Sequence, residues 1–350
     1  MRLVPIEHLK DGDIIAKDIV SYDGGVLLCH DTRFKEAFKS RLIERNILEV
    51  YIDDEISRGI EPSGIIESAV KQRMTYDIKK QFDKLKDRLE LDINIISEIT
   101  TGLIEQLNQK EMILELDDLK TNDCYTYEHC LAVAILTNVV CNKMNMNIFQ
   151  KEKIVMGAVI HDIGKIIIPK DILNKPSSLS KEEYEIIKSH TEIGYKMIKD
   201  NTELSPITKL AVLCHHERED GSGYPLGKGE ELHIGTKIVA ACDLYHALIS
   251  DRCYRQGLPI NEVIAIGQKE AINPEIRTII ENSFAYYPVG CMIQLNDGKL
   301  GLVEKNISAD IRRPIIRIID KENGKLVAKS KINLQNERQL YIVSRYNRRF

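Results

Sequence analysis

His161-Asp162-Ile163-Gly164-Lys165 sets a histidine directly beside a carboxylate, with a lysine four residues after the histidine. On a helix, residues i and i+4 share a face, so Lys165 is expected to project beside His161. Imidazole and carboxylate are both ligands for a divalent cation, and an ammonium one turn away can meet an anionic oxygen. A single His-Asp pair is common on surfaces and carries little weight alone. What raises it here is the rest of the chain.

Histidine and aspartate recur at wide, fairly even intervals: His129, His161-Asp162, His190, His215-His216 and Asp243. Five segments thus supply seven potential ligands, and the helices of a bundle can each aim one such side chain inward. Polar groups on otherwise apolar helices carry a heavy desolvation load unless something satisfies them, and a cation does. Each histidine alone reads as a hydrogen-bonded core residue, whereas the set reads as metal binding. A mixture of His and carboxylate without Cys argues against structural zinc and for iron, manganese or another borderline-to-hard cation. Seven ligands are too many for one ion with an open position, so two ions are expected. Two cations ~3.5–4 Å apart can hold a bridging hydroxide and clamp the attacking and leaving oxygens of a phosphoryl displacement. Asp162 or Asp243, with two oxygens each, could bridge the pair.

Working outward, residues 120–285 read as a helical domain interrupted by one glycine-rich loop, residues 221–229. Before it, Ile66, Val70, Met74, Ile78, Phe82, Leu85 and Leu89 form one apolar stripe at three- and four-residue spacing, and Ile95, Ile99, Leu103 and Leu107 repeat it. Residues 63–119 are therefore expected to be a helical connector that packs on the next domain or forms a homodimer interface. Residues 1–62 read as a small α/β unit, with turns at Asp11-Gly12-Asp13 and Asp23-Gly24-Gly25, strands at 14–20, 25–28 and 47–52, and a helix at 33–45. Residues 286–350 read as a small β domain, with strands at 291–295, 300–304, 314–319 and 326–328 and turns at Asn296-Asp297-Gly298 and Asn323-Gly324.

Composition bounds the function. The chain has 350 residues, a net charge of -4 and 29% charged residues, ordinary for a globular protein. Bulk electrostatics therefore do not favour nucleic acid. Residues 286–350 carry 13 Lys and Arg against 6 Asp and Glu, a surplus that reads as a solvated basic face. The eight cysteines form no CxxC pair, which excludes a zinc ribbon and a thioredoxin-like motif. No signal-peptide h-region and no run of ~18 apolar residues is visible, so no membrane insertion is expected. Free thiols without an export signal point to a cytoplasmic location.

Several separated motifs then occur in order. His161-Asp162-Ile163-Gly164-Lys165 is followed by Ile168-Pro169, Ile172-Leu173, Lys175-Pro176 and His190. After these come His215-His216-Glu217-Arg218-Glu219-Asp220-Gly221-Ser222-Gly223-Tyr224-Pro225, Asp243, and Asp251-Arg252-Cys253-Tyr254-Arg255. Over residues 120–285 the chain resembles an HD-GYP domain, a branch of the HD metal-dependent phosphohydrolases. The fold class expected is mainly α, a helical-bundle HD domain with the small N-terminal α/β unit and small C-terminal β domain. The resemblance implies hydrolysis of cyclic di-GMP to pGpG, or onward to GMP. It also implies two divalent metal ions, Fe before Mn, held by His129, His161, Asp162, His190, His215, His216 and Asp243. Asp162 and Lys165 are implied in catalysis. Lys165 would sit near the scissile phosphate, and Arg252 and Arg255 would contact substrate phosphates, where guanidinium can clamp oxygens in bidentate fashion. Tyr224 either stacks on a guanine or packs the loop onto the domain.

Two departures from the family pattern bear on the site. Tyr125 stands four residues before His129, where some members carry a glutamate that helps bind a third metal, so a two-metal site is expected. His246 stands where Asp is common, three residues after Asp243, and is expected to hydrogen-bond Asp243 or face solvent. Ser177 replaces a frequent glycine, a minor change. Alternatives are a sensor that binds cyclic dinucleotide without turnover, and a phosphodiesterase for another cyclic dinucleotide such as 3′,3′-cGAMP.

Overall fold

The computed structural model describes all 350 residues except 21–24, 46, 63, 88–89, 109–111, 116–118, 120–125, 176, 251–256 and 347–350. The chain is mostly helical, with small sheets near each end, and it divides into two units. One comprises Met1–Ser63 with Ala285–Phe350, and the other Gly64–Phe284.

In the first unit, strands β1 (Arg2–Pro5), β2 (Ile14–Ile15) and β5 (Glu49–Asp53) form an antiparallel sheet in the order β1-β5-β2. Strands β3 (Ile19–Val20) and β4 (Val26–Leu28) pair separately. The expected helix at 33–45 is shorter, a 3₁₀ turn at Glu36–Phe38 leading into α1 (Lys39–Glu44). Ile6, Leu9, Ile15, Phe34, Leu42 and Ile52 close a small core around these pieces. The C-terminal segment adds β6 (Met292–Leu295), β7 (Leu300–Lys305), β8 (Ile315–Glu322), β9 (Lys325–Asn333) and β10 (Ile342–Arg345), in the order β10-β6-β7-β8-β9. Asn323 and Gly324 both take positive φ, 49° and 80°, as a two-residue hairpin turn demands.

The two ends were read from sequence as separate domains, and they share one unit. Leu3 donates its N–H to the Gly290 carbonyl at 2.8 Å, and Tyr51 its hydroxyl to Val289 at 3.1 Å. Arg317 donates to the carbonyls of Ile56 and Arg58, both at 2.9 Å. Ile56 and Ile60 are buried with Met292, Leu302 and Ile319. Partners more than 230 residues apart leave no periodicity in a sequence.

The second unit holds α2 (Ser68–Lys86), α3 (Ile93–Gln106), α4 (Thr126–Lys143), α5 (Ile148–Ile160), α6 (Lys170–Leu173), α7 (Lys181–Lys188), α8 (His190–Ile198), α9 (Pro206–Cys214), α10 (Ile234–Ile249), α11 (Ile260–Gly267) and α12 (Pro274–Glu281). Helix α4 is the hub. Every residue from His129 to Asn142 is buried, as expected of a helix that is apolar on all faces. Much of the stripe read at residues 66–107 faces inward within this unit, where Ile78, Phe82, Ile99, Leu103 and Leu107 are buried, although on α3 it is Ile96 rather than the expected Ile95 that is fully covered. Helix α2 packs on α4 with Phe82 edge-on to Tyr127, ring centroids 5.5 Å apart. Local start signals are explicit: Asn147 and Ser205 accept N-cap hydrogen bonds for α5 and α9, and Ser180 with Glu183 forms a capping box on α7. No helix among the described residues is long and apolar enough to cross a membrane.

Phe82→Ala should lower the stability of the chain by about 3–5 kcal/mol in urea denaturation, because it opens a void against α4. A change within the scatter of a surface substitution would show that α2 is not part of that core.

Candidate metal centre

The helix termini and one interior turn converge on a single buried cluster. His129 comes from the first turn of α4, and His161 and Asp162 follow the last turn of α5. His190 opens α8, His215 and His216 follow α9, and Asp243 lies within α10. The seven residues read from sequence therefore meet, and their ligand atoms fall into two adjoining sets. Asp162, His190, His215 and His216 form one, and His129, His161 and Asp243 the other, with the atoms of each set within 4.8 Å of one another.

Both carboxylates straddle the sets. Asp162 turns Oδ1 to His190 Nε2 at 3.3 Å and His215 Nε2 at 3.5 Å. Its Oδ2 faces His129 Nε2 at 3.4 Å and His161 Nε2 at 3.5 Å. Asp243 directs Oδ1 to His129 at 3.0 Å and Oδ2 to His216 Nδ1 at 3.4 Å.

Proton positions follow from the partners, since a backbone carbonyl can only accept. His161 Nδ1 donates to Ala158 O at 2.8 Å, His190 Nδ1 to Ile187 O at 2.5 Å, and His215 Nδ1 to Val212 O at 3.0 Å. In the neutral rings each Nε2 then carries a lone pair aimed into the cluster. His190 and His215 bring these Nε2 atoms to 3.1 Å. Two lone pairs that close repel unless a cation lies between or beside them.

Electrostatics point the same way. Burial pushes His161 down to about 3 and lowers His190 and His216 as well, so these rings stay neutral. Burial works against ionisation of Asp162, yet the adjacent Lys165 ammonium leads the groups that outweigh it and hold the carboxyl well below its usual range. Asp243 is likewise held well below its usual range against its burial. Two buried carboxylates are thus ionised. Both oxygens of Asp162 lack any properly aligned hydrogen bond among the described residues. A buried carboxylate whose one ammonium partner is at Oδ2, and which imidazole lone pairs otherwise ring, fits divalent cations.

Lys165 departs from expectation. The helix stops at Ile160, and residues Ile163–Ile167 continue as a 3₁₀ turn. Lys165 therefore reaches Asp162, its Nζ 2.6 Å from Oδ2, through i,i+3 geometry instead of lying along His161. The turn is tight because Gly164 presses on α8, where an added Cβ would lie 1.9 Å from the His190 carbonyl oxygen.

Tyr224 sets its ring 4.8 Å from that of His216, and Lys188 Nζ lies 5.7 Å from its centroid. Arg252, Arg255 and Tyr125 lie outside the described residues.

Two residues escaped the sequence reading. Glu217 is buried, and its carboxylate accepts the N–H groups of Leu226, Gly227 and Lys228 at 2.6, 3.1 and 3.2 Å, tying the glycine-rich loop beside the cluster. The loop runs so close that a Cβ on Gly223 would sit 2.4 Å from Glu217 Cα. The available signal was a carboxylate next to the His pair and ahead of a loop rich in unpaired N–H groups. Cys130 lies beside His161 and Asp162, held as a thiol chiefly by burial and also by the Asp162 charge.

Comparison with known proteins places these motifs. The model of the HD domain family matches residues 93–276. A cyclic di-GMP phosphodiesterase of Pseudomonas aeruginosa is 30% identical over 236 residues, 67% of this chain and 56% of its own length. One of Thermotoga maritima is 34% identical over 238 residues, 65% of this chain and 63% of its own. A 3′3′-cGAMP-specific phosphodiesterase of Vibrio cholerae is 31% identical over 170 residues, 47% of this chain and 36% of its own. The chain thus spans less than two thirds of the length of each of these relatives.

Glu217→Ala should free the loop. Hydrogen bonds to a charged group are worth about 1.5–3 kcal/mol, so amide exchange at Leu226, Gly227 and Lys228 should quicken by about one to two orders of magnitude. Unchanged exchange would show that another contact holds the loop.

Proposed function

The chain belongs to the HD domain family, in its HD-GYP branch, and on that premise we propose that it is a phosphodiesterase hydrolysing cyclic di-GMP to pGpG. The observation that carries this reading is the buried Asp162 carboxylate, with one oxygen turned to His190 and His215 and the other to His129 and His161. His129, His161 and Asp243 would hold one cation and His190, His215 and His216 a second, with Asp162 shared. Iron is the first choice and manganese the second. Bound divalent ions supply an activated water-derived nucleophile and neutralise charge at phosphorus.

The chain's own groups do the rest. Lys165 contributes a compact positive charge at the mouth of the cluster, its side chain about a fifth exposed, where it can turn from Asp162 to a non-bridging phosphate oxygen. Tyr224, braced on His216, offers a flat ring at the same rim to a base. Arg252 and Arg255 are assigned to the phosphates by their motif. Residues 120–285 form the catalytic part in this reading. A cytosolic location accompanies it, in keeping with the free thiols of Cys29, Cys130, Cys141, Cys214, Cys242 and Cys291.

A second reading keeps the reaction and changes one base. Its support is the Vibrio cholerae relative named for 3′3′-cGAMP.

The test is direct. Protein purified anaerobically should carry about two ions per chain by elemental analysis, and His161→Ala and Asp162→Ala should each reduce hydrolysis to background. Three ions per chain would contradict the two-metal site, and full turnover in either variant would remove the assignment. Assaying cyclic di-GMP and 3′,3′-cGAMP side by side decides between the two readings.

A further inference from the structure

His246 lies one turn beyond Asp243 on α10 and is completely buried, yet no role above uses it. It does not face solvent, one of the two outcomes expected from sequence. Instead its Nδ1 lies 2.8 Å from Nδ1 of His129, with the rings 4.8 Å apart. On the far side of the ring, Nε2 is 3.0 Å from the carbonyl oxygen of Leu119 and 3.0 Å from the hydroxyl of Ser250.

These contacts define a direction. The Leu119 carbonyl can only accept, so His246 Nε2 carries the proton. In the neutral ring Nδ1 is then an acceptor, and the short contact is filled by a proton on His129 Nδ1. That leaves His129 Nε2 with its lone pair toward Asp243 at 3.0 Å and Asp162 at 3.4 Å. The reverse order would press the His246 Nε2 lone pair against the Leu119 oxygen. For His161, His190 and His215 the same service is done by backbone carbonyls. His129 takes it from a side chain, so a substitution can reach its orientation.

We propose that His246 is a positioning residue: its ring holds His129 in the tautomer and rotamer whose Nε2 faces the cation shared with His161 and Asp243. Hydrogen-bond partners of metal-bound imidazoles have this effect in general, and losing one costs about 10–100-fold in metal affinity. The inference rests on the metal reading above, and its consequence is confined to one of the two ions. A residue that merely filled the core would weaken the whole cluster or neither ion.

The experiment titrates Mn(II) into metal-free full-length chain by calorimetry, for wild type, His246→Leu and His246→Asn. Leu fills the space without an acceptor, whereas Asn offers its Oδ1 where Nδ1 was. Expected is one ion weakened about 10–100-fold in the Leu variant with the other unchanged, and both retained in the Asn variant. Two wild-type affinities in the Leu variant, or equal losses in Leu and Asn, would overturn the role of His246 while leaving the metal reading intact. A wild type that binds no ion removes the metal reading, and this inference with it. Ring ¹⁵N spectra of the wild type give a readout independent of any variant's folding. His246 must be the Nε2–H tautomer, and an Nδ1–H signal overturns the proposal.

Discussion

Everything in the helical unit answers to one electrostatic constraint: Asp162 is ionised, buried and without an aligned hydrogen bond. An isolated carboxylate moved out of water is among the costliest groups a fold can hold, and it ordinarily neutralises by taking up a proton. Here Lys165 opposes that at Asp162, and a second buried carboxylate, Asp243, lies across the same cluster. The imidazoles around them offer lone pairs, with the protons of His161, His190 and His215 committed to backbone carbonyls. A shell so rich in acceptors and so poor in donors is the complement of a positive ion.

The fold delivers this shell by stopping helices rather than by extending them. His161-Asp162 and His215-His216 each occur where a helix ends, which lets two adjacent side chains enter the same cavity; mid-helix neighbours would point about 100° apart. Gly164 allows the turn after Asp162 to lie against α8, bringing His190 opposite. Glu217, one residue past the histidine pair, gathers the amides of the next loop and sets Tyr224 against His216. Ligand, turn and rim are neighbours in sequence because they are neighbours around the cavity.

How much of this could be read in advance depended on range. The helical character of residues 66–107, the seven clustered side chains and the hairpin turns at Gly298 and Asn323-Gly324 are local patterns, and each was legible. Lys165 was not, because i,i+4 reasoning assumes that the helix continues past His161, and it ends there. His246 was expected to meet its near neighbour on the helix, Asp243, or to face solvent, whereas it meets His129, 117 positions away. The shared unit of the two chain ends failed to register for the same reason: strand and loop contacts such as Leu3 with Gly290 leave no spacing to detect. Glu217 stood inside the quoted motif, but nothing local showed that its partners were the amides of the loop nine to eleven residues on.

The most direct measurement is anomalous diffraction from crystals of the full chain loaded with Mn(II) or Fe(II). Two peaks about 3.5–4 Å apart, one between His129, His161 and Asp243 and one between His190, His215 and His216, with Asp162 touching both, are the expected result. A cluster that stays metal-free in saturating cation while its rings keep the same arrangement would contradict the account at its root.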